Sequence, residues 1–395
     1  MAYLRQTGLL DMSNGTLKGG FCWSLAFVCL LIGCKFNGDY NPKTFESGLN
    51  TSFVYPSNSP KVAKLLDSYR KKGALSTLHS NSEHYAKNIM SWQMEHGGFG
   101  VHDITFYEKL WDGNQKRSEW VSKGQELGNF DDGATVAEVR FLAEVYRNTK
   151  DASLKRLIKE SVDRCLHFIF TSQYENGGWP QVYPRRHKRP YSNNVTLNDD
   201  AMIRTMVLLS DILAGVAPFD THLVAEDIKA DIYPRLSSAV SYLLKAQIVN
   251  DNELTIWSSQ YDIESNAPAS ARSYELKSKS GRESVGVLAY LMNWPEQDEK
   301  VIAAVSAGVA WYKANKVRDI ALINGEFIEE TGSELWYRFY EVDSSVPFFA
   351  GRDGIKKYDL ALVEDERRKG YSWGSNYASK VLRAAPLYFE ELRLN

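Results

Sequence analysis

Apolar residues recur at intervals of three and four along most of the chain after residue 60, which predicts a mainly helical protein. The first predicted helix spans residues 62–73 and places Val62, Leu65, Leu66 and Tyr69 on one face. Further helices are predicted over residues 82–94, 134–149, 152–174, 201–216, 225–248, 283–294, 299–317 and 377–392. Alternating patterns are rare, and we expect short hairpin arms only at residues 321–328 and 336–341.

Two of these helices end in the same pattern, a glutamine followed by three variable residues, two glycines and an aromatic residue. The copies are SWQMEHGGFG at residues 91–100 and TSQYENGGWP at residues 171–180, with weaker copies at residues 241–248 and 309–315. Glycine after a helix supplies a left-handed cap, and repeated helix pairs can close into a ring. The repeat predicts an all-α dominated fold, an α/α toroid formed as an incomplete ring of helix hairpins with long loops and short β-hairpins. The alternative is an irregular all-α domain in which two loops agree by chance.

The N-terminal part of the chain carries the hydrophobic pattern of an export signal. Residues 21–32 (FCWSLAFVCLLI) form an apolar run with the length of a signal-peptide core, too short to span a bilayer comfortably. The run ends at Gly33-Cys34, which resembles the lipobox of bacterial lipoproteins. We therefore expect residues 1–34 to be a lipoprotein-type signal peptide and residues 35–60 to be a linker or tether. A standard signal peptide and a retained anchor are the alternatives.

Charge and composition narrow the possible partners. The formal net charge of -2 gives no global attraction to nucleic acid or to an anionic membrane. Aromatic residues make up 12% of the chain, with 10 Trp and 22 Tyr, which suits stacking on sugar rings. A core rich in aromatic side chains explains the same composition, so this feature alone does not decide between the two.

Two acidic turns each stand directly before a predicted helix. One contains Asp131 and Asp132, and the other contains Asn198, Asp199 and Asp200. Acidic residues at these positions are typical of helix caps, which is the alternative explanation. An adjacent pair cannot easily serve one cap twice, so a carboxylate is left for another partner. Because Ca²⁺ prefers hard oxygen ligands, the two turns could converge on one calcium ion.

Several arginines lie in loops rich in glycine and aromatic residues. They are Arg272, Arg338, Arg352 and Arg367, and a further basic stretch, YPRRHKR, occupies residues 183–189. A guanidinium group binds a carboxylate through two hydrogen bonds, so a set of arginines suits a polyanionic chain. For each arginine taken singly, a salt bridge within the protein is the alternative.

Taken together, the motifs resemble the family 10 pectate lyases over roughly residues 91–395. The matching pieces occur in the same order: GGWPQ with the following YP and NDDAM (residues 177–202), ARxYE (271–275), GxES (281–284), RDG with a later tyrosine (352–358) and ERRxGY (366–371).

The resemblance implies an α/α toroid whose residues 61–395 form a pectate lyase catalytic domain. Such enzymes cleave polygalacturonate by β-elimination with Ca²⁺ as cofactor. By resemblance, Asp199 is a calcium ligand and Arg272 is the base that removes the C5 proton. Either Asp131 or Asp132 would help to bind the metal in the substrate complex. The carboxylates of the substrate would be held by Arg338, Arg352 and Arg367.

The resemblance has one departure in the first acidic turn. Asp132 stands where an asparagine is expected in the family, so it stays open which of Asp131 and Asp132 is functional. We expect a bacterial monomer that is either anchored to the cell envelope by lipid or secreted.

Two other functions remain as alternatives. The first is a non-catalytic envelope lipoprotein that binds acidic glycans on the same fold. The pairing of Arg272 with Asp199 argues against it, because a binding module needs no such pair. The second is another toroid enzyme, such as a terpenoid cyclase or prenyltransferase. Those enzymes need an apolar cavity with an acidic or zinc site, and a basic groove fits them poorly.

Overall fold

Pairs of consecutive helices form an α/α toroid in the computed structural model, which describes residues 53–56, 59–78, 82–100, 104–188 and 190–394. The helices are α1 (Pro60–Ala63), α2 (Ser82–Trp92), α3 (Val136–Asn148), α4 (Ala152–Ser172), α5 (Ala201–Leu213), α6 (Glu226–Ala230), α7 (Ile232–Ala246), α8 (Glu283–Leu291), α9 (Glu299–Ala314), α10 (Asp365–Gly370) and α11 (Ser379–Leu394). Helix α3 packs against α4, α5 against α7, and α8 against α9. Helix α1 packs against α11, so the first and last helices of the described chain are neighbours. The toroid expected from the repeat is confirmed.

Short strands in the loops complete the architecture. They are β1 (Val121–Ser122), β2 (Gln125–Glu126), β3 (Gly128–Asn129), β4 (Val182–Tyr183), β5 (Val195–Thr196), β6 (Val249–Asn250), β7 (Glu253–Leu254), β8 (Gln260–Tyr261), β9 (Lys279–Ser280), β10 (Val317–Ile323), β11 (Glu326–Tyr337), β12 (Phe339–Tyr340), β13 (Phe349–Ala350), β14 (Lys356–Lys357) and β15 (Gly374–Ser375). The antiparallel pairs are β1–β2, β3–β4, β5–β8, β6–β7, β9–β12 and β13–β14, and β10–β11–β15 form a three-stranded sheet.

The repeated glutamine joins each helix pair to the next. The side-chain amide of Gln93 donates to the carbonyl oxygens of Gly97 at 2.8 Å and of Ser161 at 2.9 Å. Gln173 and Gln247 repeat this pattern, each donating to its own turn and to a later helix. Because each amide satisfies one carbonyl in its turn and one in the following element, the repeat fixes the position of successive pairs.

The glycine of the repeat is required by its backbone angle and by a close approach. Gly177 has φ of 96°, and a Cβ at this position would lie 2.3 Å from the carbonyl oxygen of Ser238 on α7. Any other residue would be strained and would push α7 away. The adjacent Trp179 is fully buried and donates its indole N–H to the carbonyl of Ile169 at 2.8 Å, which anchors the turn on α4.

Most of the helix predictions are confirmed, but the predicted helix over residues 62–73 is wrong. The chain forms the single α-helical turn of α1 followed by 3₁₀ helices at Lys64–Ser68 and Gly73–Thr77. Val62, Leu65, Leu66 and Tyr69 are nevertheless all buried. Spacings of three residues fit a 3₁₀ helix as well as an α-helix, so the apolar pattern could not separate them.

The predicted arm at residues 321–328 is also wrong. Strand β10 pairs with β11 so that Ala321 lies opposite Ile328, and the segment contains the turn between the strands. Asn324 and Gly325 both have positive φ, 51° and 80°, as a two-residue hairpin turn requires. The second predicted arm, residues 336–341, is divided by Arg338 between β11 and β12.

The N-terminal segment of the described chain packs into the core of the helices. Phe53 is buried and makes an edge contact with Trp294, with ring centroids 5.9 Å apart. The Tyr55 hydroxyl donates to Asp211 of α5 at 2.8 Å. The predicted signal peptide and most of the predicted linker lie outside the described residues. No helix among those that are described is both long and apolar enough to cross a membrane.

Candidate active site

The two acidic turns adopt the same unusual backbone. Each forms a 3₁₀ turn before a long helix, Asp131–Gly133 before α3 and Asn198–Asp200 before α5. Asp132 and Asp199 both have φ of 50°, in the left-handed region. At the starts of α3 and α5, neither Thr135 nor Asp200 makes a side-chain capping bond. Helix capping therefore does not explain these acids.

Three carboxylates meet between the turns. Asp131, Asp132 and Asp199 each offer an oxygen, and these three atoms all lie within 4.8 Å of one another. Burial and the negative charges of Asp199 and Asp132 raise the pKa of Asp131 to about 6. Burial and the charge of Asp199 also raise the pKa of Asp132. The crowded negative charge destabilises the ionised cluster, and a bound cation would relieve the repulsion. Both acids of the first turn thus belong to the cluster.

The fourth acid of the two turns has a different environment. Asp200 follows Asp199 in the chain, and one of its oxygens is 4.0 Å from the guanidinium of Arg282. Burial raises the pKa of Asp200 to about 6, although Arg282 opposes the shift. The two acids of the second turn are therefore divided, with Asp199 in the cluster and Asp200 in the wall beside it.

A network of two arginines and a buried glutamate supports Asp199. Arg282 donates to Asp199 at 2.9 Å and to Glu283 at 2.7 Å, and Arg338 donates to the same Glu283 at 2.8 Å. Burial alone would raise the pKa of Glu283, but the charges of Arg338 and Arg282 lower it to about 2. Arg338 is only 4% exposed and also donates to Asn198 at 3.1 Å. The structure thus places Arg338 inside the wall of the site.

Arg272 borders the carboxylate cluster from another loop. Its positive charge opposes the rise in the pKa of Asp132 that burial and Asp199 cause. Nε of Arg272 donates to Glu275 at 2.7 Å, and its Nη2 donates to the other oxygen of the same carboxylate. The hydrogen bonds and the charge of Glu275 raise the pKa of Arg272 despite partial burial. The Tyr371 hydroxyl donates at 2.8 Å to the same Glu275 oxygen that accepts from Nη2 of Arg272.

The remaining predicted arginines gather around one aromatic ring. The guanidinium carbons of Arg272, Arg367 and Arg352 lie 4.9, 4.8 and 5.7 Å from the centre of the Tyr274 ring. Arg352 and Arg367 share the carboxylate of Glu366, with Nε–oxygen distances of 3.1 and 2.7 Å. The structure therefore brings three of the four predicted arginines together, while Arg338 lies across Tyr371, with its guanidinium carbon 4.5 Å from that ring centre.

Sequence reasoning missed three polar residues of the site. Arg282 and Glu275 lie inside the motifs that carried the resemblance but received no role. Gln181 donates to Asp131 at 2.6 Å, and it too lies inside a matching motif, GGWPQ, without an assigned role. A usable signal existed for Arg282, because it precedes α8 as Asp199 and Asp200 precede α5.

Carboxylates that can hold a cation, beside clustered arginines that can hold anions, define a site for an acidic polymer on an α/α toroid. The pectic acid lyase family profile matches residues 93–382 of the chain. The family 10 polysaccharide lyase from Cellvibrio cellulosa is 32% identical and superimposes with a TM-score of 0.72, covering 86% of this chain and 99% of that one. No curated protein gives a significant sequence match.

A second structure of the Cellvibrio cellulosa lyase is also similar. It is an aspartate-to-alanine mutant in complex with trigalacturonic acid, with 32% identity and a TM-score of 0.71, covering 83% of this chain and 97% of that one. The profile match and the identity over most of the chain show the family. The chain belongs to the pectic acid lyase family, and it is a pectate lyase.

Proposed function

We propose that this pectate lyase cleaves polygalacturonate by calcium-dependent β-elimination, with Arg272 as the base. The observations that carry the proposal are the cluster of three carboxylates, Asp131, Asp132 and Asp199, and the arginines gathered around Tyr274, which include Arg272. The similarity to a lyase solved with trigalacturonic acid supports the choice of substrate.

The residues present fit a calcium ion. Asp131, Asp132 and Asp199 supply hard oxygen ligands, and waters or substrate oxygens can complete a coordination shell of six to eight. When bound, the ion would add positive charge beside the substrate carboxylate and stabilise the electron-rich transition state. The side chain of Gln181 already orients Asp131, and it would keep this ligand in place both with and without bound calcium.

The arginines around Tyr274 suit the carboxylates of the polymer. Arg352 is exposed, and Arg367 and Arg352 both donate to Glu366, so a uronate would compete with or join this carboxylate. Bidentate guanidinium–carboxylate pairing gives geometric selectivity for a planar anion. Arg338, which pairs with the buried Glu283, would contribute its charge from inside the wall.

In the elimination, Arg272 in its neutral form accepts the proton from C5 of a galacturonate unit. The electrons of the broken C5–H bond form the C4–C5 double bond, and the C4–oxygen bond breaks. The departing oxygen takes a proton from solvent and leaves with the rest of the polymer, and Arg272 then returns its proton to solvent. Because Glu275 stabilises the protonated form of Arg272, turnover should rise with pH, and we expect an alkaline optimum.

The test is an ultraviolet assay of the unsaturated product formed from polygalacturonate. We expect absorbance to rise with calcium present and to stay flat after chelation. The Arg272→Ala variant should bind the polymer without cleaving it. An acidic optimum, or turnover retained by this variant, would remove Arg272 from the role of base.

The location outside the cytoplasm is inferred from the substrate and from the sequence. Polygalacturonate is too large to cross a bilayer, so its lyase must meet it outside the membrane. The lipobox-like Gly33-Cys34 adds the expectation of a lipid anchor. In a bacterial host, Cys34→Ser should move the protein from the membrane fraction to the soluble fraction. An unchanged distribution would contradict lipidation at Cys34.

A further inference from the structure

The basic loop over residues 183–188 holds Arg186 against an aromatic ring. The guanidinium carbon of Arg186 lies 4.8 Å from the centre of the Trp120 ring, and its Nη1 is 3.3 Å from the Ser192 hydroxyl. Arg186 is half-buried, and no carboxylate of the described residues forms an ion pair with it. By contrast, Arg272, Arg352 and Arg367 each have a glutamate partner.

Backbone contacts fix this loop. The Arg186 N–H donates to the side-chain oxygen of Asn193 at 2.8 Å, and the Asn193 amide donates back to the Arg186 carbonyl at 2.8 Å. The next residue, His187, donates its N–H to Ser122 in the β1–β2 hairpin at 3.2 Å. The guanidinium therefore starts from a backbone that is already ordered, which lowers the entropic cost of binding an anion.

A short path leads from Arg186 to the carboxylate cluster. Arg186 contacts the Ser192 side chain, and the Ser192 carbonyl accepts the backbone N–H of Gln181 at 3.2 Å. The Gln181 side chain in turn donates to Asp131. The adjacent Tyr191 has its pKa raised by burial, and the charges of Arg272, Asp131 and Arg186 all act on it. Tyr191 thus directly precedes Ser192, the residue that links Arg186 to Gln181.

We propose that Arg186 forms a distal uronate subsite. It binds the carboxylate of a galacturonate unit beyond the unit that is cleaved, and Trp120 holds the guanidinium plane in position. Tyr191, which meets Trp120 edge-on with ring centroids 6.3 Å apart, carries the polymer between this subsite and Asp131. The inference rests on the proposed function, because it takes polygalacturonate as the ligand.

The neighbouring arginine provides a matched control. Arg185 stacks on Tyr174, with its guanidinium carbon 4.4 Å from the ring centre, and lines a pocket that also contains Glu175 and Glu264. The carboxylate of Glu175 in that pocket disfavours binding of the anionic polymer there. Arg185→Ala therefore removes the same charge from the same loop without touching the proposed subsite.

The experiment compares Arg186→Ala, Arg186→Lys and Arg185→Ala with the wild type on galacturonate oligomers of increasing length. For the longest oligomers, Arg186→Ala should raise KM about tenfold with kcat unchanged, as loss of one charge-assisted hydrogen bond implies. KM for the shortest cleaved oligomer should not change. Arg186→Lys should recover part of the loss, and Arg185→Ala should match the wild type. Unchanged melting temperatures would show that the variants are folded.

Calorimetry in the Arg272→Ala background separates this proposal from the proposed catalytic role. In that background, Arg186→Ala should bind long oligomers about tenfold more weakly and short oligomers with unchanged affinity. This result supports the subsite even if the elimination mechanism proves wrong. Equal effects of Arg186→Ala and Arg185→Ala, or a loss that is the same at every oligomer length, would overturn it. Absence of any oligomer binding would overturn it as well.

Discussion

Nε of Arg272 donates a hydrogen bond to the buried carboxylate of Glu275 over 2.7 Å, and this contact holds the side chain of the proposed base. The carboxylate favours the protonated guanidinium and raises its pKa. It also fixes the direction in which the guanidinium points, since both Nε and Nη2 are engaged. Orientation and basicity of Arg272 are therefore coupled through one residue.

Replacing Glu275 should shift the pH dependence of catalysis. In Glu275→Gln the negative partner is lost, so the pKa of Arg272 falls and its neutral form is reached at lower pH. We expect the acid limb of log kcat to move down by about one pH unit or more, equivalent to at least about 1.4 kcal/mol. Maximal kcat should fall, because the amide orients the guanidinium less well. Steady-state kinetics from pH 6 to pH 11 checks this.

Tyr371→Phe is the control for the loss of orientation. The variant removes the hydroxyl that donates to Glu275 but keeps the ion pair between Glu275 and Arg272. The acid limb of log kcat should therefore not move to lower pH. If Glu275→Gln retains activity and its acid limb is not displaced, Arg272 is not the group whose deprotonation limits turnover.

Calcium affinity should depend on each carboxylate of the cluster and on pH. Asp199→Asn removes one anionic ligand, and we expect affinity to fall at least about tenfold, because ligand charge tunes calcium binding. The pKa of Asp131 is raised to about 6, so protons compete with calcium as the pH falls through that value. Affinity measured by calorimetry should therefore weaken from pH 8 to pH 5. Equal affinities at both pH values would contradict ligation by Asp131.

The sequence could predict the ring of helices because its repeat has a physical cause. The pattern Gln-x-x-x-Gly-Gly marks a turn in which one amide joins successive helix pairs, and Gln247 keeps this role although its glycines are lost. The last copy, at residues 309–315, has Asn315, whose amide donates to the carbonyl of Trp311 in its own helix and to no later helix among the described residues. The repeat therefore predicts the packing of helix pairs wherever the hydrogen bonds of its glutamine are retained.

The candidate site could be predicted only in part. Asp131, Asp132 and Asp199 meet because two equivalent turns converge, which their shared position before a helix already indicated. The burial of Arg338 could not be read from its neighbours, because its partner Glu283 is 55 residues earlier in the chain. Arg282 was missed although its position before α8 was a usable signal, and its contact with Asp199 joins separate helix pairs.

A buried glutamate behind the first acidic turn should make stability depend on pH. Glu138 on α3 is 5% exposed and accepts a hydrogen bond from Tyr107 at 2.9 Å, while burial raises its pKa from 4.5 to about 7. The folded state then binds more protons than the unfolded state. The free energy of unfolding should therefore decrease as pH rises from about 4.5 to about 7.

Glu138→Gln keeps the shape and the acceptor for Tyr107 but cannot ionise. Relative to the wild type, the variant should gain stability across this pH range, by at most about 3 kcal/mol. Urea unfolding at pH 5 and pH 8 measures the difference. Glu160→Gln, at an exposed position of α4, is the control. If wild type and Glu138→Gln respond to pH in parallel, Glu138 does not titrate on unfolding in this range.

The buried ion-pair cluster at Asp211 should be the most sensitive polar position for stability. Asp211 is fully buried within α5 and accepts from Arg140 at 2.8 Å and from Arg70 at 2.9 Å. Asp211→Asn would leave two guanidinium groups close together without an anion, so we expect a loss of about 3–5 kcal/mol. Asp220→Asn removes the partner of Arg147 at an exposed site and should change stability little. Urea unfolding of both variants compares the two ion pairs. Similar small losses of stability would show that the ion pairs of Asp211 contribute little. Apolar packing would then hold the N-terminal segment, whose Tyr55 hydroxyl donates to Asp211.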